Sequence, residues 1–356
     1  MPVLNKDDKI LSDKYNTFVK NSPFTNATQD IGWAYVKKGW ESEFIYLENE
    51  KSGEIIAAMS IIFKKTIKNY TLAYAPRGPV CDPYDIKTIK ALIKHAQPAL
   101  KKHKAFVLRF DPEIVFDEAL VLAYEKEGFI ARNVKKEGIT PKELIQPVYN
   151  MMLKTDGKSF DELVLQFSEK TRYNIRYSIR KGISVKHSRK IEDLKTFYDI
   201  YKTTTIRDGI GARPFDYFAR MLEVFDENEM RIYIASHEEQ PLSGAIAINY
   251  GYKMWYMYGA SCNEKRNLMP NYSMQMEMIK WGIEENKNIY DFGGVFVLDK
   301  SNGLFKFKEG FCHKEGVTEL IGEFDYVINK LWYKIFTKYA PKLKKITKKL
   351  KSNKNS

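Results

Sequence analysis

Cysteine is scarce in this 356-residue chain: Cys81, Cys262 and Cys312 are widely spaced and odd in number, which argues against a disulfide framework and for a reducing compartment. Histidine is scarce too. His95, His103, His187, His237 and His313 form no HExxH pattern, and there is no CxxC, so no metal centre is expected. Cys312 and His313 are neighbours, but catalytic Cys/His pairs meet in space rather than in sequence, and a structural role is expected for them. Long apolar runs are missing, stretches such as 61–63 falling far short of the ~20 residues that span a bilayer. The start, MPVLNKDDKILSDKY, has no apolar signal core, and the reading is a cytoplasmic protein. Acidic residues are absent from 341–356, which carries seven of the net +13 charges. An anionic partner is expected, with a Lys-rich solvated surface as the alternative.

What is present is a hydrophobic fraction of 44% with 14% aromatic residues, enough for a full core and, at this length, for two domains. Apolar Ile10, Leu11, Tyr15 and Phe18 predict a first helix, and Gln29, Trp33, Lys37 and Trp40 recur at helical spacing over TNATQDIGWAYVKKGW. EFIYLENEKSGEIIAAMSIIFKK then reads as a hairpin. A strand into the loop PRGPVCDP, a helix and the strand AFVLRFDP complete the unit. A boundary is placed near residue 146. Beyond it Ser159 and Glu162 form a capping box, and Lys170, Arg172, Arg176, Arg180 and Lys181 make a basic stripe suited to a polyphosphate, or an ordinary solvated face. The order of elements then repeats: hairpin, the strand KMWYMYGAS, loop, helix, the strand IYDFGGV, and a basic-aromatic loop LFKFKEGF. Tyr74 and Tyr258 end corresponding strands, as do Asp111 and Asp291. Repetition on this scale means two copies of one domain in the α/β (α+β) class.

A hairpin followed by strand, loop and helix resembles the GNAT acyltransferase fold. That fold receives the pyrophosphate of coenzyme A on a loop of pattern [RQ]xxGx[GA] at a helix start. Here the stretch is Arg266-Asn267-Leu268-Met269-Pro270-Asn271: two larger residues replace the small ones, and Pro270 removes an N–H donor. PRGPVCDP is no better, so no bound cofactor is expected and another activated acyl donor is required. An aminoacyl-tRNA suits the basic stripe and tail.

In order, QDIGWAYVKKGW, YAPRGP, FVLRFDP, EKTRYNIRYSIRKG, WYMYGAS, MPNYSMQMEMIKWG, YDFGG and LFKFKEGF resemble the Fem family of tRNA-dependent peptidoglycan aminoacyltransferases, in particular its short FemX type. No sustained heptads suggest the coiled-coil arm of longer members. The resemblance implies two tandem GNAT-like domains with a cleft between them: 1–145 with a returning segment 318–340, then 146–317, with 341–356 as a basic tail. It implies that Lys37, or its neighbour Lys38, meets the diphosphate of a muramyl-pentapeptide precursor, UDP-linked or lipid-linked. Trp40 is grouped with it. Arg213, with Arg207 as its rival, is implied as the second phosphate ligand beside Tyr217, since lysine and arginine both give charge-assisted bonds. Tyr258 is implied to line the peptide channel; Tyr256, two residues away and so on the same strand face, either joins it or packs in the core. Phe307 and Lys308 match a pair placed near the aminoacyl end, Lys306 being the alternative to Lys308. Asp111 matches a cleft carboxylate, or is a strand-end turn residue before Pro112.

The implied reaction is attack by a stem-peptide amine on the ester of alanyl-, seryl- or glycyl-tRNA, building the interpeptide bridge. The ester is already reactive and positioning supplies much of the rate. Two other classes stay open: a CoA-dependent N-acyltransferase acting on a small amine, and a non-catalytic RNA- or membrane-binding protein. Leu331, Trp332, Ile335, Phe336 and Tyr339 form an apolar stripe expected to pack on the first domain. Leu343, Ile346 and Leu350 among lysines make the tail a basic amphipathic helix, if helical, for RNA or an anionic membrane face.

Overall fold

The computed structural model describes residues 3–66 and 69–339. Two sheets organise them. The first contains β1 (Glu41–Glu48), β2 (Ile55–Lys65), β3 (Thr71–Ala75), β4 (Ala105–Phe110) and β5 (Ile130–Arg132). The second contains β6 (Tyr149–Lys154), β7 (Ser184–Ser188), β8 (Met230–His237), β9 (Gln240–Tyr250), β10 (Lys253–Ser261), β11 (Ile289–Val295) and the short β12 (Thr318–Glu319). The last strand, β13 (Glu323–Val327), crosses back to the first sheet and inserts between β4 and β5. The sheet orders are β1-β2-β3-β4-β13-β5 and β12-β6-β11-β10-β9-β8-β7.

Each sheet contains one parallel pair, β3 with β4 and β10 with β11. Parallel neighbours need a crossover, supplied by the helices Ile86–Lys102 and Pro270–Glu284. The repeated hairpin, strand, helix and strand order of the sequence is therefore present in both sheets. Among the described residues no helical pair forms a coiled-coil arm; Glu169–Arg180, Ile191–Asp208 and Phe215–Val224 all bury side chains in the fold.

The N-terminal part of the chain meets the segment preceding β8 through close helix packing. Helix Ile31–Val36 lies on Phe215–Val224, and a Cβ at Gly32 would sit 2.2 Å from Val224 Cγ1, so only glycine permits the approach. One apolar core joins Tyr15, Phe44 and Trp33 to Phe197, Phe218 and Ile246. Buried Asp30 caps the Ile31 helix and accepts a 2.6 Å hydrogen bond from Tyr250 Oη.

Several local expectations change. Segment 25–40 is not one helix: a 3₁₀ turn Ala27–Gln29 precedes Ile31–Val36, which ends before Lys37 and Trp40. Gln29 is instead spent on backbone, accepting from Ser60 N and donating to Pro76 O at 2.8 and 2.7 Å. The Ser159 capping box forms, but on a short helix Phe160–Gln166, and the basic residues belong to a separate helix capped by Ser168. Residues Gly303–Phe311 are a helix capped by Asn302, not a loop. Ile10 and Leu331 are exposed. Trp332, Tyr333 and Phe336 cover Leu72, Phe106 and Val107 of the first sheet, whereas the tail 341–356 lies outside the described residues.

The return of β13 is locked by buried charge. Arg109 on β4 donates to both oxygens of Asp325 at 2.6 and 2.7 Å, with Glu323 at 3.2 Å and the Tyr333 hydroxyl on Asp325 at 2.9 Å. Removing one member strands the others in a dry interior. Arg109→Met is expected to cost roughly 3–5 kcal/mol, read as lost unfolding free energy in urea, whereas loss of the exposed, solvent-screened pair Lys90–Glu127 should leave the urea midpoint nearly unchanged.

Candidate functional site

The site begins where β10 and β11 part. Their pairing stops at Trp255–Asp291, while β10 stays paired with β9 as far as Ser261. Each strand breaks register just there, β10 between Tyr256 and Tyr258 and β11 between Asp291 and Gly294, where Gly293 adopts φ +75°. A bulge of this kind bends a strand and re-aims its side chains.

The consequence corrects the expected shared face of Tyr256 and Tyr258. They oppose the adjacent residues Ala247 and Ile246, whose side chains belong to opposite cores. Tyr258 therefore joins Tyr201 and Phe218 in edge-to-face contacts, its Oη 3.1 Å from Tyr217 Oη. Tyr256 packs on the other side, its hydroxyl occupying the place where a Cβ of Gly259 would stand. Burial pushes the Tyr256 phenol up to about 12.

Beside Tyr217 cations accumulate. Lys37 Nζ lies 5.0 Å from the Trp33 ring and 5.4 Å from that of Tyr217, and Arg213 Cζ is 5.4 Å from the Tyr217 ring. Lys64, at the end of β2, lies 5.0 Å over the Trp40 ring. Among the described residues no carboxylate forms an ion pair with Lys37, Lys64 or Arg213. Desolvation first, then repulsion from Arg213 and Lys64, lowers the Lys37 ammonium to about 8. Three cations are thus held together against mutual repulsion, which an anion placed among them would relieve. Lys38 is exposed. Lys64 was not anticipated; the paired lysines closing the apolar run SIIFKK were its only sequence signal.

Arg213 and Tyr258 also line a cavity of about 450 Å³, as do Arg77, Glu113, Asp291 and Lys308. Lys308 comes from the helix Gly303–Phe311, is buried, and donates to Gly294 O at 3.0 Å. Loss of water lowers its amine to about 8, with Asp291 opposing. Lys306 is exposed. Below the cavity Lys253 bridges Glu113 and Asp291 at 2.5 and 3.0 Å, and Asn26 donates to Glu113 at 2.7 Å. The carboxyl of Asp111 does not line the cavity. It lies behind Arg77, accepting from Tyr74 Oη and Arg77 N at 2.9 and 2.8 Å, and burial raises it to about 7 against the pull of Arg77. These are the contacts of a strand-end turn residue.

A second cavity of about 730 Å³ adjoins the first, with Tyr256, Gly259, Ile210 and Leu304 lining both. Phe307 lines it, as do Met269, Pro270, Asn271 and Tyr272, so the helix start and the Phe307 flank share one space rather than being separated. Met269 is left-handed at φ +59° and offers no side-chain cap. Arg207 is on this side, tied to Ser261 O at 2.9 Å and paired with Asp208, away from Lys37.

Two sheets, each with one parallel pair and joined by the same order of elements, give the chain a tandem GNAT-like architecture. A solved tandem GNAT protein from clavulanic acid biosynthesis superposes with a TM-score of 0.53 over 92% of this chain and 97% of its own, at 8% identity. The FemAB family model matches residues 10–240 and 230–341, and the chain belongs to that family. It is 37% identical to the UDP-N-acetylmuramoylpentapeptide-lysine N(6)-alanyltransferase of Weissella viridescens, covering 92% of this chain and 97% of that protein. It is 30% identical to the lipid II:glycine glycyltransferase of Staphylococcus epidermidis, with 96% and 98% covered. The crystal structure of FemX superposes with a TM-score of 0.82 at 27% identity, covering 94% of this chain and 99% of FemX.

Because Lys37 is held near 8 in the free protein, an anion there must raise its pKa and binding must take up a proton. Affinity for inorganic pyrophosphate is expected to fall between pH 7 and pH 9 by calorimetry. Lys37→Met should weaken binding at pH 7 by about 1.5–3 kcal/mol, the worth of a hydrogen bond to a charged group, and flatten the pH dependence.

Proposed function

We propose that the chain transfers an amino acid, alanine, serine or glycine, from aminoacyl-tRNA to the stem-peptide amine of a muramyl-pentapeptide precursor, UDP-linked or lipid-linked. The observation that carries this reading is the cluster of Lys37, Lys64 and Arg213, without a carboxylate partner among the described residues, in which Arg213 lines the same cavity as the Lys308 amine. A diphosphate is the anion that fits several cations on different elements. The bidentate arginine and the point charges of the lysines supply its hydrogen bonds. The names of the Weissella and staphylococcal relatives, which specify a muramyl-pentapeptide lysine and lipid II, support the acceptor class.

With the diphosphate at Lys37 and Arg213, the stem peptide runs past Tyr217 and Tyr258 into the smaller cavity. Its amine then approaches Lys308. The aminoacyl ester enters through the larger cavity beside Phe307, and Tyr256 stands on the shared wall. The amine nitrogen attacks the ester carbonyl, the N–C bond forms and negative charge develops on the carbonyl oxygen. The Lys308 ammonium, fixed by Gly294 O, is placed to hold that charge. As the C–O bond to the ribose breaks, the proton lost by the attacking nitrogen goes to the departing oxygen. Asp111 has no part in that route, being behind Arg77. Positioning supplies much of the remaining acceleration.

Incubation of the protein with separately charged tRNAs and either precursor is expected to add one residue to the stem peptide, read by mass spectrometry. No addition with alanyl-, seryl- or glycyl-tRNA on either precursor would refute the proposal, and acetyl transfer from acetyl-CoA to a small amine would replace it. Lys308→Met is expected to lower kcat by about 10²–10³. The ammonium is the working form and is lost as pH rises through about 8, so the wild-type rate per unprotonated acceptor amine should decline on the alkaline side. Lys308→Arg should shift that decline to higher pH.

A further inference from the structure

The helix Glu169–Arg180 presents two faces of different chemistry. Inward, Ser178 accepts from Ser273 on the helix Pro270–Glu284 at 2.8 Å, and Thr171 stands where a Cβ of Gly310 would be, on the helix of Phe307 and Lys308. It is thus braced on both helices that line the larger cavity. Outward, Tyr173 and Tyr177 stack with centroids 6.0 Å apart and planes 22° from parallel, Tyr173 being 55% exposed. Arg180 and Lys181 lie 5.8 and 5.7 Å from the Tyr177 ring, and Lys170 and Arg176 complete the exposed face.

This differs from the stripe in the sequence. Arg172 leaves it, donating to Leu165 O and Phe167 O, and two aromatic rings enter it. Among the described residues no ion pair to a carboxylate neutralises Lys170, Arg176, Arg180 or Lys181. Tyr173 is exposed and Tyr177 half-buried, so the stacked pair presents ring surface to solvent on an outer helix face. Flat rings flanked by unpaired cations are the pattern that takes single-stranded nucleic acid, stacking on bases while cations follow the phosphates.

We infer that the Tyr173–Tyr177 face, with Lys170, Arg176, Arg180 and Lys181, is a docking platform for single-stranded RNA leading to the larger cavity. The inference rests on the reading of the acyl donor as a charged RNA. It locates the unpaired strand next to the acyl end, outside both cavities.

The test uses the full chain and fluorescence anisotropy with a labelled single-stranded hexaribonucleotide and a matching abasic strand. Tyr173→Ala with Tyr177→Ala is expected to weaken the hexanucleotide about tenfold or more and to leave the abasic strand unchanged. Arg176→Ala with Arg180→Ala should weaken both and lower the log–log salt slope by about 1.4. Tyr173→Phe with Tyr177→Phe should retain base-dependent binding. Wild-type hexanucleotide affinity in the double alanine variant overturns the inference, as does wild-type failure to bind the strand. So does loss of phosphatidylglycerol-vesicle binding with RNA affinity intact, which would make the face a membrane contact. Because the RNA is uncharged and no acceptor is present, binding lost as expected but no aminoacyl transfer would sink the enzymatic reading and spare the platform. Transfer with an unchanged donor KM in the alanine variant would do the reverse.

Discussion

The Glu113 carboxylate takes one contact from each half of the chain: Asn26 from the first and Lys253, at the start of β10, from the second. Lys253 in turn holds Asp291 on β11, and Arg77 approaches Glu113 at 4.0 Å. Burying this many charges is tolerable only because each is opposed by another, so the ends of the two parallel strand pairs are held at one separation. The smaller cavity, the bulge after Asp291 and the Lys308 amine all adjoin that network. A shift of either sheet would leave a buried charge without its partner, which makes the cleft a fixed feature rather than a gap between loose lobes.

Around this fixed floor the protein uses cations in two ways. Lys253 and Arg109 are saturated with carboxylates and raised in pKa; they are structural. Lys37 and Lys308 are lowered by burial and lack such satisfaction. A residue type that composition counts only as positive charge thus divides into ties and open sites, and the difference lies in which acids come within reach. Lys308 lines the smaller cavity together with Arg213, whose charge also depresses Lys37.

Much of the fold was legible in the chain. Alternating and continuous apolar runs marked the strands, the hairpins and crossover helices recurred in order, and the Ser159 capping box formed as its spacing required. Lys37, Arg213 and Tyr217 could be singled out only through the family resemblance; helical spacing linked Lys37 to Trp33 but gave neither a role. Periodicity misled where local and tertiary demands differ. Gln29, Lys37 and Trp40 keep a helical spacing, yet Asp30 restarts the helix because Tyr250, from a distant strand, binds its carboxylate. LFKFKEGF carries few helix signals beyond Asn302, and its helix follows from packing Phe305 and Phe311 into the second core.

What the sequence by itself determined is the inventory of elements and their repeated order, since these depend on contacts between near neighbours and on apolar period. What only the tertiary structure decided is which of the charged and aromatic residues are available. Tyr256 and Tyr258 were separated by one bulge; Arg207 and Arg172 were drawn off to backbone carbonyls; Asp111 was covered by Arg77; and Lys64 was brought from a hairpin to the cations of another segment. Burial and partnering are properties of juxtaposed elements far apart in the chain, and no local pattern encodes them.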